Sequence, residues 1–348
     1  MVYICLSGNF KHPFSGVEKK IVSKLACLSQ QTERLTVVFP YKNNFKETTN
    51  INCDVVYLFE SKPKRYRYLD ITFQNYKLYN RMNEVVSPLI KEGSCVLFRF
   101  PMSSIGLLKF VKMNPNAVVF EHNTKELEEA LLNVNKLKSK ISFSLRPSIF
   151  FNYIEQIILP VFIERRITKK VLQYAKAGVC VTHELAEYEK KRFSGYKTVV
   201  ISNGIDVNLF SPISYKPIEK TINIIMLNGF EAEWRGLDRY IVGIKKYKGT
   251  YDFQFHVYGK NLSEEIASTK QNGLDSKIHF HDVTSKEELD KVMESFHFGL
   301  SDLASFRKDM LEGCSLKIRE YLSRGLPVIL AQRDTDLSFN KKCGRLLY

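Results

Sequence analysis

The sequence has 348 residues, 44% of them apolar, which is enough to form two hydrophobic cores. Its seven cysteines are scattered, odd in number and without paired spacing, which argues against a disulfide-stabilised secreted fold or a cysteine metal site and favours reduced thiols in a cytoplasmic protein. No apolar stretch approaches the length that crosses a bilayer, and we interpret the apolar residues 1–6 as a strand, since they lack the basic leader of a signal peptide.

The positive charge is concentrated in the first part of the chain. The sequence carries 52 basic and 37 acidic residues, a net charge of +15, and residues 1–200 contribute 31 basic and 17 acidic residues, or +14. This asymmetry predicts an extended anionic partner for the first half, such as a membrane surface or a phosphorylated lipid. Nucleic acid is not expected, because the basic residues are dispersed and no nucleic-acid motif is recognised.

Strands and helices alternate from the N-terminus. We predict a strand at residues 2–6 and a helix at 17–28, followed by strands at 35–39, 55–59, 96–100 and 118–120. The alternation is typical of a mostly parallel sheet, whose ligands bind at the carboxyl ends of the strands. The loop at residues 7–16 lacks a G-x-G-x-x-G pattern, so a dinucleotide site is not supported, but ligand contacts are predicted at the start of the helix for Ser15, Gly16 and Glu18.

Glu121, His122 and Asn123 follow the fifth predicted strand and precede a helix that Thr124 can cap. At such a strand end His122 is placed to donate a hydrogen bond to a sugar hydroxyl or a phosphate. A capping or packing histidine is the equally good alternative.

Residues 136–170 interleave basic and aromatic side chains around a short apolar run, and residues 62–81 have a similar composition. Such a segment can rest at a membrane interface with its basic residues against anionic headgroups. The alternative is a pair of long helices that face the core.

The pattern restarts after the middle of the chain. A strand at residues 178–182, a helix at 183–193 and a strand at 198–201 lead to the turn at Ser202, Asn203 and Gly204. We place the domain boundary there, giving domains 1–202 and 203–348. Strands at 222–227, 253–258, 278–280 and 298–301 and a helix at 237–247 follow.

The stretch from Glu312 to Leu330 combines two carboxylates, Glu312 and Glu320, with a turn of small residues, a helix at 316–324 and a buried strand at 327–330. Backbone N–H groups at the start of a helix form a seat for phosphate. Helical side chains lean toward the N-terminus, so Glu320 is expected to lean back toward this turn. The alternative is an ordinary capped amphipathic helix followed by a strand.

Three motifs in this order resemble the family 4 (group 1) retaining glycosyltransferases of the GT-B fold: VISNGIDVNLF at 200–210, NGFEAEWRGLDRYI at 228–241, and Glu312 with Glu320 before YLSRGLPVI at 321–329. The likeness covers most of the chain and is most similar to enzymes of capsule, exopolysaccharide or lipopolysaccharide assembly. It implies an α/β protein with two Rossmann-like domains facing across a cleft, which transfers a sugar from a nucleotide-sugar donor to a glycan or lipid-linked acceptor. The resemblance implies no metal and no other cofactor, and a protein that is cytoplasmic, with contact to the inner face of the membrane as an expectation.

By the same resemblance, Glu312 contacts the donor sugar and Glu320 the nucleotide ribose. Arg235 stands where the family usually has a lysine and can neutralise the leaving diphosphate. The alternative for Arg235 is an ion pair within its loop. His122 and the loop at residues 14–18 correspond to the acceptor side. The residues implied to hold the diphosphate are Gly313, Cys314, Ser315, Leu316 and Lys317.

Two departures from the family pattern keep a second hypothesis open. Phe230 occupies the position of a common arginine, and the chain stops soon after the strand at 327–330, where the fold normally continues. A catalytically silent GT-B protein acting within a polysaccharide assembly complex is therefore the alternative. A nucleotide-sugar epimerase on a similar scaffold is disfavoured by the motifs at 200–210 and 228–241.

Overall fold

The computed structural model describes residues 1–11, 15–61, 70–132, 158–214, 217–230, 232–260, 262–282 and 285–337. The chain divides into two compact units. Unit 1 comprises residues 1–11 and 24–201, and unit 2 comprises residues 12–23 and 202–348. Of the basic and aromatic segments predicted at 62–81 and 136–170, residues 62–69 and 136–157 lie outside the described residues.

Unit 1 is built on a seven-stranded sheet in the order β3-β2-β1-β4-β5-β6-β7, with every pair parallel. This order reverses direction beside β1, as in doubly wound sheets. The strands are β1 (Val2–Ile4), β2 (Thr36–Tyr41), β3 (Asp54–Phe59), β4 (Val96–Arg99), β5 (Val118–His122), β6 (Ala177–Cys180) and β7 (Thr198–Val200).

Helices connect these strands, since parallel neighbours need a crossover between them. Residues 126–132 are also helical. The bounded helices before residue 202 are α1 (Gly16–Gln31), α2 (Phe45–Thr48), α3 (Asp70–Lys91), α4 (Ile105–Met113), α5 (Leu159–Tyr174) and α6 (His183–Arg192). Residues 16–23 of α1 belong to unit 2 and residues 24–31 to unit 1.

Both faces of the first sheet are covered by apolar side chains. On one face Val38, Phe98 and Phe120 belong to a core shared with residues of α3, α4 and α5. On the other, Phe10, Phe39 and Phe45 form an aromatic cluster with ring centroids 5.1 to 5.2 Å apart. Burial on both faces explains the continuous apolar runs that mark these strands in the sequence.

Unit 2 contains a second parallel sheet in the order β10-β9-β8-β11-β13 and a separate parallel pair, β12 and β14. Its strands are β8 (Thr221–Phe230), β9 (Asp252–Lys260), β10 (Ile278–His281), β11 (Phe298–Leu300), β12 (Glu312–Gly313), β13 (Val328–Ile329) and β14 (Arg333–Asp334). Its helices are α7 (Leu237–Lys246), α8 (Ser263–Gln271), α9 (Lys286–Met293) and α10 (Leu316–Ser323).

The central strand β8 supplies apolar side chains to both faces of the second sheet. Ile224 and Met226 join one core cluster, while Ile225 joins the other together with Tyr321 of α10. The Tyr321 hydroxyl accepts a hydrogen bond from the N–H of Leu227 at 2.8 Å, which fixes α10 against the sheet.

The strands and helices predicted from the sequence are present with bounds that differ by a few residues. The α/β class with parallel sheets is therefore confirmed. The pair of β12 and β14 was not predicted, because strands of two residues carry no measurable periodicity.

Candidate functional site

The turn before α10 has the geometry expected of an anion seat. Ser315 is the N-cap residue, with φ −84° and ψ 135°, and its side chain makes no capping hydrogen bond. Its carbonyl accepts from the N–H groups of Ile318 and Arg319, so the helix begins directly after it. The first N–H groups of a helix have no partner within the helix and point out of its end.

The N-G-I-D turn at Asn203 is bound to this seat. The N–H of Asn203 donates to the Cys314 thiol sulfur at 3.0 Å, and the Asn203 side-chain amide donates to the Cys314 carbonyl. Arg319 holds both residues, because its guanidinium donates to Asn203 O at 3.3 Å, to the Cys314 sulfur at 3.1 Å and to both carboxylate oxygens of Asp334 at 2.9 Å. Cys314 is buried and serves as a hydrogen-bonded link in this turn.

Two cationic side chains meet on one carboxylate beside the seat. Arg235 Nη1 lies 2.7 Å and Lys317 Nζ 2.5 Å from Oδ1 of Asp302. Asp302 follows β11 and Arg235 follows β8, so both come from carboxyl ends of neighbouring parallel strands. The two loops are also joined through the backbone, since Leu303 N donates to Arg235 O at 2.9 Å.

The cluster has an unusual charge balance for a buried place. Burial alone would raise the pKa of Asp302, but the charges of Lys317 and Arg235 hold it well below its usual range. Burial lowers the pKa of Lys317 to about 8, although Asp302 acts in the opposite direction. The cluster thus contains one carboxylate and two cations, and its excess positive charge favours binding of a further anion.

Glu312 and Glu320 are both buried, with 6% and 8% of their surface exposed. Glu312 lies in β12, opposite Arg333 of β14. Glu320 lies in α10, where its Oε2 is 4.0 Å from Nη1 of Arg324, a residue that itself donates to Asp290 at 2.9 Å. The two carboxylates therefore lie on the strand and the helix that flank the Gly313–Leu316 turn.

The loop after β8 carries a tight turn at Gly236. This residue has φ +73°, and a Cβ there would lie 2.8 Å from the Cβ of Leu303. Trp234 is buried beside it, with Lys308 Nζ 4.7 Å above its ring. Phe230 ends β8, and its side chain lies outside the described part of the chain.

In the N-terminal region, Ser15 and Glu18 form a reciprocal capping box at the start of α1. The Ser15 N–H and hydroxyl donate to Glu18 Oε2 at 2.9 and 2.8 Å, and the Glu18 N–H donates to Ser15 Oγ at 3.3 Å. Gly16 is exposed, and among the described residues no atom outside its chain neighbours and its own helix backbone lies within 4 Å of where a Cβ would be. The two polar side chains predicted to meet an acceptor thus bind each other in this structure.

His122 lies inside unit 1, with none of its surface exposed. Its ring is 4.6 Å from that of Phe100, and its Nε2 is 3.1 Å from the hydroxyl of Tyr196. Burial and then the charge of Arg192 lower the pKa of His122 to about 3, so the imidazole is neutral at pH 7. These contacts fit the packing alternative better than a hydrogen bond to a sugar hydroxyl or a phosphate.

Asp302 and Arg319 were not identified from the sequence. Asp302 directly follows a predicted strand, and this position at a strand end is the feature that predicted a site at Glu121 and His122. Arg319 carries no such signal, because its importance comes from contacts with Asn203, more than 100 residues away, and with Asp334. Such a link is visible only in the folded chain.

Among described residues, no helix combines the length and apolar content needed to cross a membrane. Comparison with known proteins gives no matching family model and no matching curated protein. Similar solved structures were found. One is sucrose-phosphate synthase from Thermosynechococcus elongatus, with a TM-score of 0.60 and 11% identity over 94% of this chain and 80% of that one.

Two further solved structures have a similar fold. A glycosyltransferase from Rickettsia africae gives a TM-score of 0.58 and 13% identity over 97% of this chain and 80% of that one. HepE from Anabaena, solved with UDP and glucose, gives 0.56 and 12% over 98% of this chain and 82% of that one. At these identities the likeness concerns the fold, and the resemblance to family 4 stays a prediction. The chain has the GT-B fold of glycosyltransferases, with two Rossmann-like α/β units.

Proposed function

We propose that this protein is a retaining glycosyltransferase that moves a sugar from a nucleotide-sugar donor to a glycan or lipid-linked saccharide in surface polysaccharide biosynthesis. The observation that carries the proposal is the convergence of Arg235 and Lys317 on Asp302 beside the N-terminus of α10. This site lies at the carboxyl edge of a parallel sheet, where α/β proteins bind their ligands.

The donor diphosphate would bind the backbone N–H groups at Gly313–Leu316, with Arg235 and Lys317 supplying positive charge. A diphosphate matches this set because it offers several anionic oxygens to a helix N-terminus and a guanidinium. Glu320 would accept hydrogen bonds from the ribose hydroxyls, and Glu312 would contact the donor sugar.

During transfer, the bond between the anomeric carbon and the diphosphate oxygen breaks and a bond to the acceptor oxygen forms on the same face of the sugar. Because the acceptor attacks on the face that the diphosphate leaves, retention requires no enzyme nucleophile. The acceptor proton passes to an oxygen of the departing diphosphate, so no enzyme base is needed either. Negative charge develops on the leaving group, and Arg235 and Lys317 would stabilise it there. Preorganised charge of this kind accelerates a reaction without a metal ion.

The acceptor and the setting are inferred from the charge asymmetry and from two structural neighbours. The lipopolysaccharide outer core galactosyltransferase WaaB covers 94% of this chain with a TM-score of 0.55 and 12% identity, and HepE was solved with UDP and glucose. We infer a UDP-type donor, a surface-glycan acceptor and peripheral contact with an anionic membrane. Sedimentation with anionic vesicles but not with neutral ones is expected, and equal sedimentation with both would contradict the membrane contact.

A thermal-shift screen of nucleotide sugars tests donor binding first, because a ligand that binds the folded state raises the melting temperature. A nucleotide sugar that raises the melting temperature is then incubated with the protein and candidate acceptors. The anomeric configuration of the product is determined by NMR. Arg235→Ala is expected to lower kcat/KM by about 100-fold, whereas Lys270→Ala, an exposed cation of unit 2, leaves it unchanged.

Glu320→Ala is compared in the same way with Glu294→Ala, which removes an exposed carboxylate. Unchanged turnover in both Arg235→Ala and Glu320→Ala would show that the site is assigned wrongly. If no nucleotide binds and a protein partner is recovered instead, the catalytically silent alternative is the correct one.

A further inference from the structure

Three potential ligand side chains meet inside unit 1, at the carboxyl edge of its sheet. His122 is the last residue of β5, Glu126 opens the helical run 126–132, and Glu189 lies in α6. One ligand atom from each residue lies within 4.8 Å of the other two. None of the donor-site contacts in unit 2 involves these residues.

The hydrogen bonds of Tyr196 fix the tautomer of His122. The Tyr196 hydroxyl donates to the carbonyl of Ala177 at 2.9 Å, so its oxygen is left to accept from His122 Nε2–H at 3.1 Å. Nδ1 of His122 then carries a bare lone pair. Among the described residues it has no hydrogen-bond partner, although His122 is completely buried.

A carboxylate oxygen lies close to Nδ1 of His122. Glu189 Oε1 lies 3.4 Å away, without hydrogen-bond geometry, and Glu126 Oε2 is a further buried oxygen with no partner among the described residues. Two acceptor atoms this close in a water-free interior cost free energy unless a positive charge lies between them. Two ligands at about 2.1 Å from a tetrahedral ion are about 3.4 Å apart.

The local charges also favour a cation. Arg192 donates to both oxygens of Glu189 at 3.0 and 3.2 Å and pairs with Glu164, so one guanidinium serves two carboxylates before Glu126 is counted. The nearby Lys125 is engaged by Glu184 at 2.9 Å.

We propose that His122 Nδ1, Glu126 and Glu189 form a binding site for one divalent transition-metal ion, with Zn²⁺ as the best match for one imidazole and two carboxylates. The ion joins β5, the helical run 126–132 and α6, which makes it a structural ion of unit 1. The hydrogen bond from His122 to Tyr196 is the outer contact that orients a metal-bound imidazole. The proposal is independent of the sugar-transfer site and departs from the sequence-based expectation of no metal.

Calorimetry with ZnCl₂, and separately with MnCl₂, on the full chain after removal of metal by a chelator tests this site. We expect one ion per chain, and a melting temperature that rises on addition of Zn²⁺. Glu126→Gln and Glu189→Gln are expected to weaken Zn²⁺ affinity by about 10-fold to 100-fold. Glu187→Gln, an exposed position on the same helix, is the matched control and leaves the affinity unchanged.

Circular dichroism verifies that each variant is folded, and the absorption spectrum of bound Co²⁺ gives a second measurement on the wild type. A tetrahedral Co²⁺ spectrum that His122→Gln abolishes and His183→Gln retains would support the assigned ligand. If the wild type shows neither Zn²⁺ binding nor a Co²⁺ spectrum, or if Glu126→Gln binds as tightly as Glu187→Gln, the site does not exist.

Discussion

Nη1 of Arg235 lies 2.7 Å from Oδ1 of Asp302, across two loops that leave neighbouring strands of the second sheet. The same oxygen also accepts from Lys317 at 2.5 Å. Asp302 therefore holds the two cations that we assign to the donor diphosphate.

Replacing Asp302 with asparagine leaves two cations without their carboxylate in a buried place. The Asp302 side chain is 12% exposed, and removing one partner of a buried pair costs about 3 to 5 kcal/mol in the free energy of unfolding. Asp238→Asn is the control, because Asp238 is 60% exposed in its pair with Arg307 and its loss costs about 1 kcal/mol or less. Urea unfolding measures both, and equal losses would contradict the buried character of the cluster.

Nucleotide affinity is expected to fall as the pH rises through about 8. Burial lowers the pKa of Lys317 to about 8, so its ammonium loses its proton there, and with it the charge that attracts a diphosphate. Below this pH the charge is fully present. Calorimetry with UDP at pH 7 and pH 9 measures the change, which Lys317→Gln should abolish and Lys270→Gln, an exposed cation, should not.

Three histidines on β9 and β10 make unit 2 sensitive to acid. His256 Nδ1 lies 3.0 Å from His281 Nε2, and the ring of His279 is 4.8 Å from that of His256. Burial and then His279 and His281 lower the pKa of His256 from 6.5 to about 4, and burial also lowers the pKa of His281.

Between pH 6.5 and about 4, the unfolded and folded pKa values of His256, the unfolded state therefore binds more protons than the folded state. Stability is full above pH 6.5 and falls as the pH drops toward 4. Urea unfolding at pH 7.5, 6 and 5 measures this loss. His256→Phe should reduce it, whereas His183→Gln, an exposed control, should retain it, and an unchanged slope in His256→Phe would contradict the assignment.

Two glycines in unit 2 should respond in opposite directions to alanine. A Cβ at Gly299 would collide with the ring of Tyr321, so Gly299→Ala should destabilise the fold by about 1 to 3 kcal/mol. Gly243 lies exposed within α7, and among the described residues no atom outside its own helix backbone lies within 4 Å of where a Cβ would be, so Gly243→Ala should stabilise the fold by about 0.5 to 1 kcal/mol. Thermal and urea unfolding compare the two, and a stable Gly299→Ala variant would contradict the tight packing of α10.

The fold was largely predictable from the sequence because its strands are buried on both faces. Apolar runs such as residues 222–227 and 253–258 have few other interpretations when turn residues bound them and helices separate them. The start of α10 after the small residues 313–315 was also predictable, and the first N–H groups of a helix lack partners within the helix. That these groups bind phosphate stays a prediction.

The rest of the site depends on ion pairs between residues that are far apart in the sequence. Apart from its position after a strand, nothing in the sequence distinguishes Asp302 from other charged residues, and only the folded chain shows that it pairs with Arg235 and Lys317. The position of His122 at a strand end predicted a hydrogen bond to a sugar hydroxyl or a phosphate. Its burial between Phe100 and Tyr196 was not predictable, because it depends on how whole helices and strands pack together. Local patterns identify where a strand ends, whereas tertiary contacts decide what each side chain faces there.

The central position of β8 has a consequence for how the second unit opens. This strand has β9 on one side and β11 on the other, with apolar side chains on both faces. Its amide protons are therefore expected to be among the last in unit 2 to exchange with deuterium. The loop bearing Arg235 leaves from the end of this strand, so fluctuations that unfold peripheral helices would leave Arg235 in place.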